Sequence, residues 1–307
     1  MSKGSAAQRA ILSIYLVYLS ACTKIETIEP PTVRNIDEIF IEVDYQTGAK
    51  PEVVTEFVPG SGITDNAWEV VTRPNIEALT NVPAIGRTLN VIVPSSDADL
   101  QELDASKISA GGDNVGFNSG ILLDIAERFR DVRDSGRRAS LYVLFVNGLF
   151  VDESGAFRSE TLGVSIGNTG VVALFAPVLR QQVNNSNQQN LVTKWFVEQS
   201  TVVHELGHAG GLVGPAVIEP ESGFGLPLQS NHLDNPPNKT HCTNQRCVMY
   251  FQNQGSRAAL QFYARVVNDR SVVMFGQECI DDAHAGIRCA MGQAEVSDNC
   301  DNTIVPQ

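Results

Sequence analysis

Hydrophobic and polar positions alternate along residues 39–45. Ile39, Ile41, Val43 and Tyr45 interleave with Phe40, Glu42 and Asp44, the period-two pattern of a strand with one buried face. Leu89–Val93 is a second strand candidate, and Leu141–Val146 is an unbroken apolar run that reads as a fully buried strand. Between these two the period changes. Ile121, Leu122, Ile125, Phe129 and Val132 recur at helical spacing, with Asn118 or Ser119 placed to cap the start and Gly136 to supply a stop. Two short apolar runs within Leu162–Phe175 flank Gly167-Asn168-Thr169-Gly170 and predict strands joined by a turn. Helical spacing returns from Leu191 to about Ala209, with Trp195, Val202 and Leu206 directed at the core, and Gly210-Gly211 ends it. The Gly/Pro/Asn-rich residues beyond predict little regular structure until about Ala258. The order is α+β: strands and one helix, then a long helix, then an irregular tail.

The N-terminus has its own pattern. Lys3 and Arg9 precede an apolar run, Ala10–Ala21, too short to span a bilayer. It closes on Leu19-Ser20-Ala21-Cys22, which resembles the lipobox of bacterial lipoproteins. That resemblance implies a signal peptide over 1–21, a lipid on the Cys22 thiol, and a tether over 22–35 containing Pro30-Pro31. Ser20 and Ala21 also suit an ordinary secretory signal. Either way the chain is exported; the lipobox implies a bacterial membrane anchor, at the outer membrane or cell surface. Residues 36–307 then form the main domain, with an upper subdomain to about 211 and a lower one over 212–307. The net charge of −13 argues against nucleic acid, whose phosphates it repels.

Candidate chemistry concentrates in one segment. The chain has five histidines, and His204, His208, His232 and His241 all lie there. His204-Glu205-Leu206-Gly207-His208 puts two imidazoles one helical turn apart on one face, where both reach a single zinc ion. Glu205 then lies beside the open coordination position as a general base for water. His284, isolated near the C-terminus, reads as structural or surface.

The helix motif, Gly211 and the order of elements resemble the metzincin clan of zinc metallopeptidases. That resemblance implies a zincin-like fold with a mixed upper sheet, an active-site helix and an irregular lower subdomain. The clan's third histidine would fall at residue 214, which is Gly214 here. An inserted loop accounts for the departure. His241 is followed eight residues on by Met249, the matrixin spacing, and His241-Cys242-(x4)-Cys247-Val248-Met249 is similar to the archaemetzincin pattern. The resemblance thus implies zinc held by His204, His208 and His241 over a Met-turn at Met249. His232 and Asp234 are rival third ligands, since loops of either length close at similar entropic cost.

The archaemetzincin pattern also implies a second zinc held by cysteines. The spacing of Cys279, Cys289 and Cys300 lacks the family's closing CxxC pair. In an oxidising compartment Cys242, Cys247, Cys279, Cys289 and Cys300 are expected as disulfides, with Cys242 or Cys247 joined to Cys279. The function implied is a monomeric zinc endopeptidase acting on protein or peptide substrates through metal-activated water and Glu205. The strands of Leu162–Phe175 would offer the edge that pairs with an extended substrate. The alternative is a surface lipoprotein that keeps the fold for binding or adhesion without turnover.

Overall fold

Nine residues from Glu38 to Gln46 form the strand around which the sheet is built. A computed structural model describes residues 36–55, 64–104, 108, 116–167, 169–186, 194–212, 241–250, 264, 272–295 and 298 of the chain. In chain order the strands are β1 (Glu38–Gln46), β2 (Val54–Thr55), β3 (Asp65–Asn66), β4 (Asn90–Ile92), β5 (Leu100–Leu103), β6 (Gly116–Phe117), β7 (Arg138–Val146), β8 (Leu149–Val151), β9 (Phe157–Arg158), β10 (Gly163–Ser165) and β11 (Val171–Phe175). The principal sheet runs β10-β11-β7-β1-β4, and β5 joins β1 beyond β4. All its pairs are parallel except β10 with β11, so the sheet is mixed and the antiparallel strand lies at one end. β7 and β11 are near-continuous apolar runs because both of their faces are covered.

The alternation along β1 holds through Val43 and then stops. Asp44, which the pattern assigns to solvent, is 1% exposed, and the Tyr142 hydroxyl donates to it at 2.6 Å. Burial raises the Asp44 carboxyl to about 7, against the lowering effect of that hydrogen bond. The C-terminal half of β1 is buried on both faces, flanked by β7 and β5.

Among the described residues five α-helices accompany the strands: α1 (Arg73–Thr80), α2 (Ser119–Phe129), α3 (Ala176–Ser186), α4 (Lys194–Ala209) and α5 (Gln277–Met291). α1 continues a π-helical turn, Trp68–Thr72, and the pair was not legible as a helix. In α2 the Asn118 side chain accepts from the Ile121 amide at 2.9 Å, the cap expected there. The helix stops at Phe129, well before Gly136. Glu42 accepts the amides of Asp131 and Val132, both at 2.8 Å, and Arg130 turns to extended backbone. Within the tail, α5 is regular and amphipathic, burying Cys279, Ala283, Gly286 and Ile287 and ending at left-handed Gly292. No helix among the described residues is long and apolar enough to cross a membrane.

Candidate metal centre

Helix α4 carries the chemistry through the middle of the molecule. Thirteen of its sixteen residues are buried, His204 and Glu205 among them. Its mid-helix glycine, Gly207, is explained by what presses on it. A Cβ there would lie 2.6 Å from the Met249 sulfur and 3.0 Å from the Phe275 ring. Met249 is fully buried and so forms a packed floor beside the histidines. Beyond Ala209 the chain reverses at left-handed Gly211, and the Leu212 amide donates to the Gly207 carbonyl at 2.8 Å.

Three imidazoles converge. The Nε2 atoms of His204 and His208 are 3.2 Å apart, and the His241 ring centroid lies 5.3 and 5.4 Å from theirs. One ligand atom from each of the three falls within 4.8 Å of the other two. His204 Nδ1 faces the Val248 carbonyl at 2.8 Å, and His208 Nδ1 faces the Leu212 carbonyl at 3.3 Å. A carbonyl accepts only, so each Nδ1 carries the proton and each Nε2 presents a lone pair. Burial lowers His204 to about 4 and His208 well below its ordinary range, so both rings are neutral. Two lone pairs held 3.2 Å apart repel unless a cation lies between them. Nitrogens about 2.0–2.1 Å from one tetrahedral ion lie ~3.3 Å from each other, which the observed spacing matches.

The segment carrying His241 is a tight loop. The Cys242 amide donates to the Met249 carbonyl at 2.9 Å, and the Tyr250 amide donates to the Cys247 carbonyl at 3.0 Å. Val248 donates to the Met274 carbonyl at 2.8 Å while its own carbonyl holds His204. The loop thus presents one ligand, orients another and supplies the floor. The rival ligands His232 and Asp234 lie outside the described residues, as do Cys22 and Cys300.

Glu205 sits under the end strand β10. A Cβ on Gly163 would approach its Cγ to 2.8 Å and its Oε1 to 3.1 Å. Burial raises the Glu205 carboxyl to about 8, and the Ser165 amide hydrogen bond lowers it only in part. Gly163 was not singled out in the sequence; its signal was a glycine in a strand-like run, which marks close approach of another group.

The expected disulfides of Cys242, Cys247 and Cys279 are absent. All three are buried thiols, with the Cys247 and Cys279 sulfurs 3.4 Å apart, where a disulfide requires about 2.05 Å. Their sulfurs lie within 4.8 Å of one another, a second group able to hold a metal ion. Cys242 and Cys247 come from the His241 loop and Cys279 from the first turn of α5, so two segments bring the three thiols to one point. The Cys242 thiol and burial raise Cys247 to about 12, against a lowering by Cys279, and both neighbouring thiols together with burial raise Cys279. Cys289 is disulfide-bonded. His284 belongs to neither group; its Nε2 faces the Ala78 carbonyl at 2.9 Å and ties α5 to α1.

Compared with protein-family models, curated proteins and solved structures, the chain finds no match.

Proposed function

We propose that the chain is a zinc-dependent endopeptidase. The observation that carries this reading is the convergence of three imidazoles on one point, with a buried carboxylate next to the first in sequence and a sheet edge above it. Three imidazole nitrogens suit zinc, and an ion held by three ligands keeps a position open. Zinc bound there would supply Lewis acidity, lowering the pKa of water and polarising the scissile carbonyl. Glu205 takes the proton from the attacking water and delivers it to the leaving amine. A cation beside Glu205 favours its charged form, offsetting the effect of burial. β10 pairs only with β11 among the described residues, so its outer edge is available to an extended peptide. The thiol group favours a second, structural zinc, since sulfurs about 2.3 Å from one tetrahedral ion lie ~3.8 Å apart. Anchorage through Cys22 would hold the enzyme at a bacterial membrane surface.

The test is zinc content and casein hydrolysis of the full chain beside Glu205→Ala and His241→Ala. We expect Glu205→Ala to keep its zinc and lose activity at least 100-fold, the scale of a general base. His241→Ala should lose the zinc of the histidine site. Zinc at that site without cleavage of any broad substrate would favour the non-catalytic binding protein instead. No zinc at all would end both readings.

A further inference from the structure

Asn75 is wholly buried in α1, and its amide spans two parts of the chain far apart in sequence. Its Nδ2 donates to the Val71 carbonyl at 2.8 Å, in the π-helical turn that precedes α1, and to the Val272 carbonyl at 2.7 Å. Its Oδ1 accepts from the Met274 amide at 2.7 Å. Both amide hydrogens and the oxygen are therefore in use, which no apolar residue and no carboxylate reproduces.

The segment that Asn75 grips lies directly against the candidate metal centre. The Met274 carbonyl accepts the Val248 amide at 2.8 Å, and the Val248 carbonyl faces His204 Nδ1 at 2.8 Å. The next residue, Phe275, presses on Gly207 beside Met249. An unbroken series of short hydrogen bonds thus runs from the Asn75 amide through Met274 and Val248 to the ring of His204.

We propose that Asn75 is a positioning residue for the metal-binding imidazole of His204. It fixes residues 272–275, which fix Val248, which fixes the tautomer and the angle of the ring. Partners that orient a ligating histidine change metal affinity by about 10- to 100-fold when removed, and Asn75, acting through two further links, belongs at the lower end.

The inference rests on the histidine group binding metal, and the experiment separates the two. Zinc affinity of the full chain is measured by chelator competition for wild type, Asn75→Ala, Asn75→Asp and Thr80→Ala, with His204→Ala reporting zinc held elsewhere. Thr80 is an equally buried residue of α1 whose hydroxyl donates to the Ile76 carbonyl and does not reach this segment. Exchange of the Val248 amide, followed by NMR in the metal-free chain, reports the series directly. We expect both Asn75 variants to bind zinc at the histidine site about 10-fold more weakly, with faster Val248 exchange. Thr80→Ala should lower the melting temperature and change neither quantity. If Asn75→Ala does not fold, the isosteric Asn75→Asp decides. Unchanged affinity and exchange in a folded Asn75 variant, or equal losses in Thr80→Ala, would overturn the proposal. If wild type and His204→Ala hold the same zinc, the metal reading is what has failed, and Val248 exchange still decides whether Asn75 holds this segment in place.

Discussion

Glu205 owes its position to a side chain that is missing elsewhere. Gly163 leaves the space that the Glu205 stem occupies, and the Ser165 amide, two residues on, holds the carboxylate. Gly163 and Ser165 share a face of β10 because side chains alternate along a strand. Gly163→Ala would place a methyl group 2.8 Å from the Glu205 Cγ, closer than carbon atoms tolerate, so the carboxylate must turn. We expect kcat to fall at least tenfold with zinc content unchanged, since misplacing a catalytic group by an ångström costs about 100-fold. Steady-state kinetics beside metal analysis checks this. A Gly163→Ala enzyme with normal kcat would mean that β10 does not set the general base. Gly207 shows the same logic on the other side of the histidine pair, where Met249 and Phe275 fill the space a side chain would take.

Elements were legible where one physical pattern governed them. The run Leu141–Val146 became the central buried strand, and the spacing expected from Leu191 to about Ala209 became the histidine helix from Lys194, residues 191–193 lying outside the described residues, because burial and propensity agree in both. α1 was missed because Pro74 and a π-helical start hide its period. α5 carried a readable signal, with Cys279, Ala283, Gly286 and Ile287 on one face and Gly292 as stop. β1 failed at Asp44, since alternation assumes one wet face and this strand end has none. That burial has a consequence for stability. The folded chain holds a proton on Asp44 to about pH 7, whereas the unfolded chain releases it near pH 4. Stability is therefore greatest below the unfolded value and falls as pH rises toward 7, by up to about 4 kcal/mol for a shift of this size. Glu198, also raised by burial to about 7, adds a fall of the same sign. Asp44→Asn should flatten much of the slope, read as urea midpoints of the metal-free chain at pH 5 and pH 7. An unchanged slope would mean that Asp44 is ionised in the fold.

At the scale of the molecule, residues 241–250 and 272–295 meet the rest of the described residues at several polar points. Asn75 grips residues 272–274, Val248 holds His204, His284 reaches Ala78, and the thiols join the His241 loop to α5. Apolar packing adds Phe275 and Met249 against Gly207. The two candidate metal groups are thus neighbours along one loop, with His241 and Cys242 adjacent and Cys247 next to Val248. A cation among the thiols would lower their raised pKa values and replace mutual crowding with ligation, tying α5 to the loop. Cys279→Ser tests whether that tie exists. We expect zinc per chain to drop from two to one, the melting temperature to fall by several degrees, and catalytic activity to decline only in part, because the imidazoles remain. His204→Ala should also leave one zinc, but with activity lost and the thiol site intact to cysteine-reactive probes until a chelator is added. Metal analysis, calorimetry and thiol labelling of the two variants make the comparison. If Cys279→Ser keeps the zinc content and melting temperature of the wild type, the thiols hold no ion and α5 is secured to the His241 loop by packing and hydrogen bonds alone.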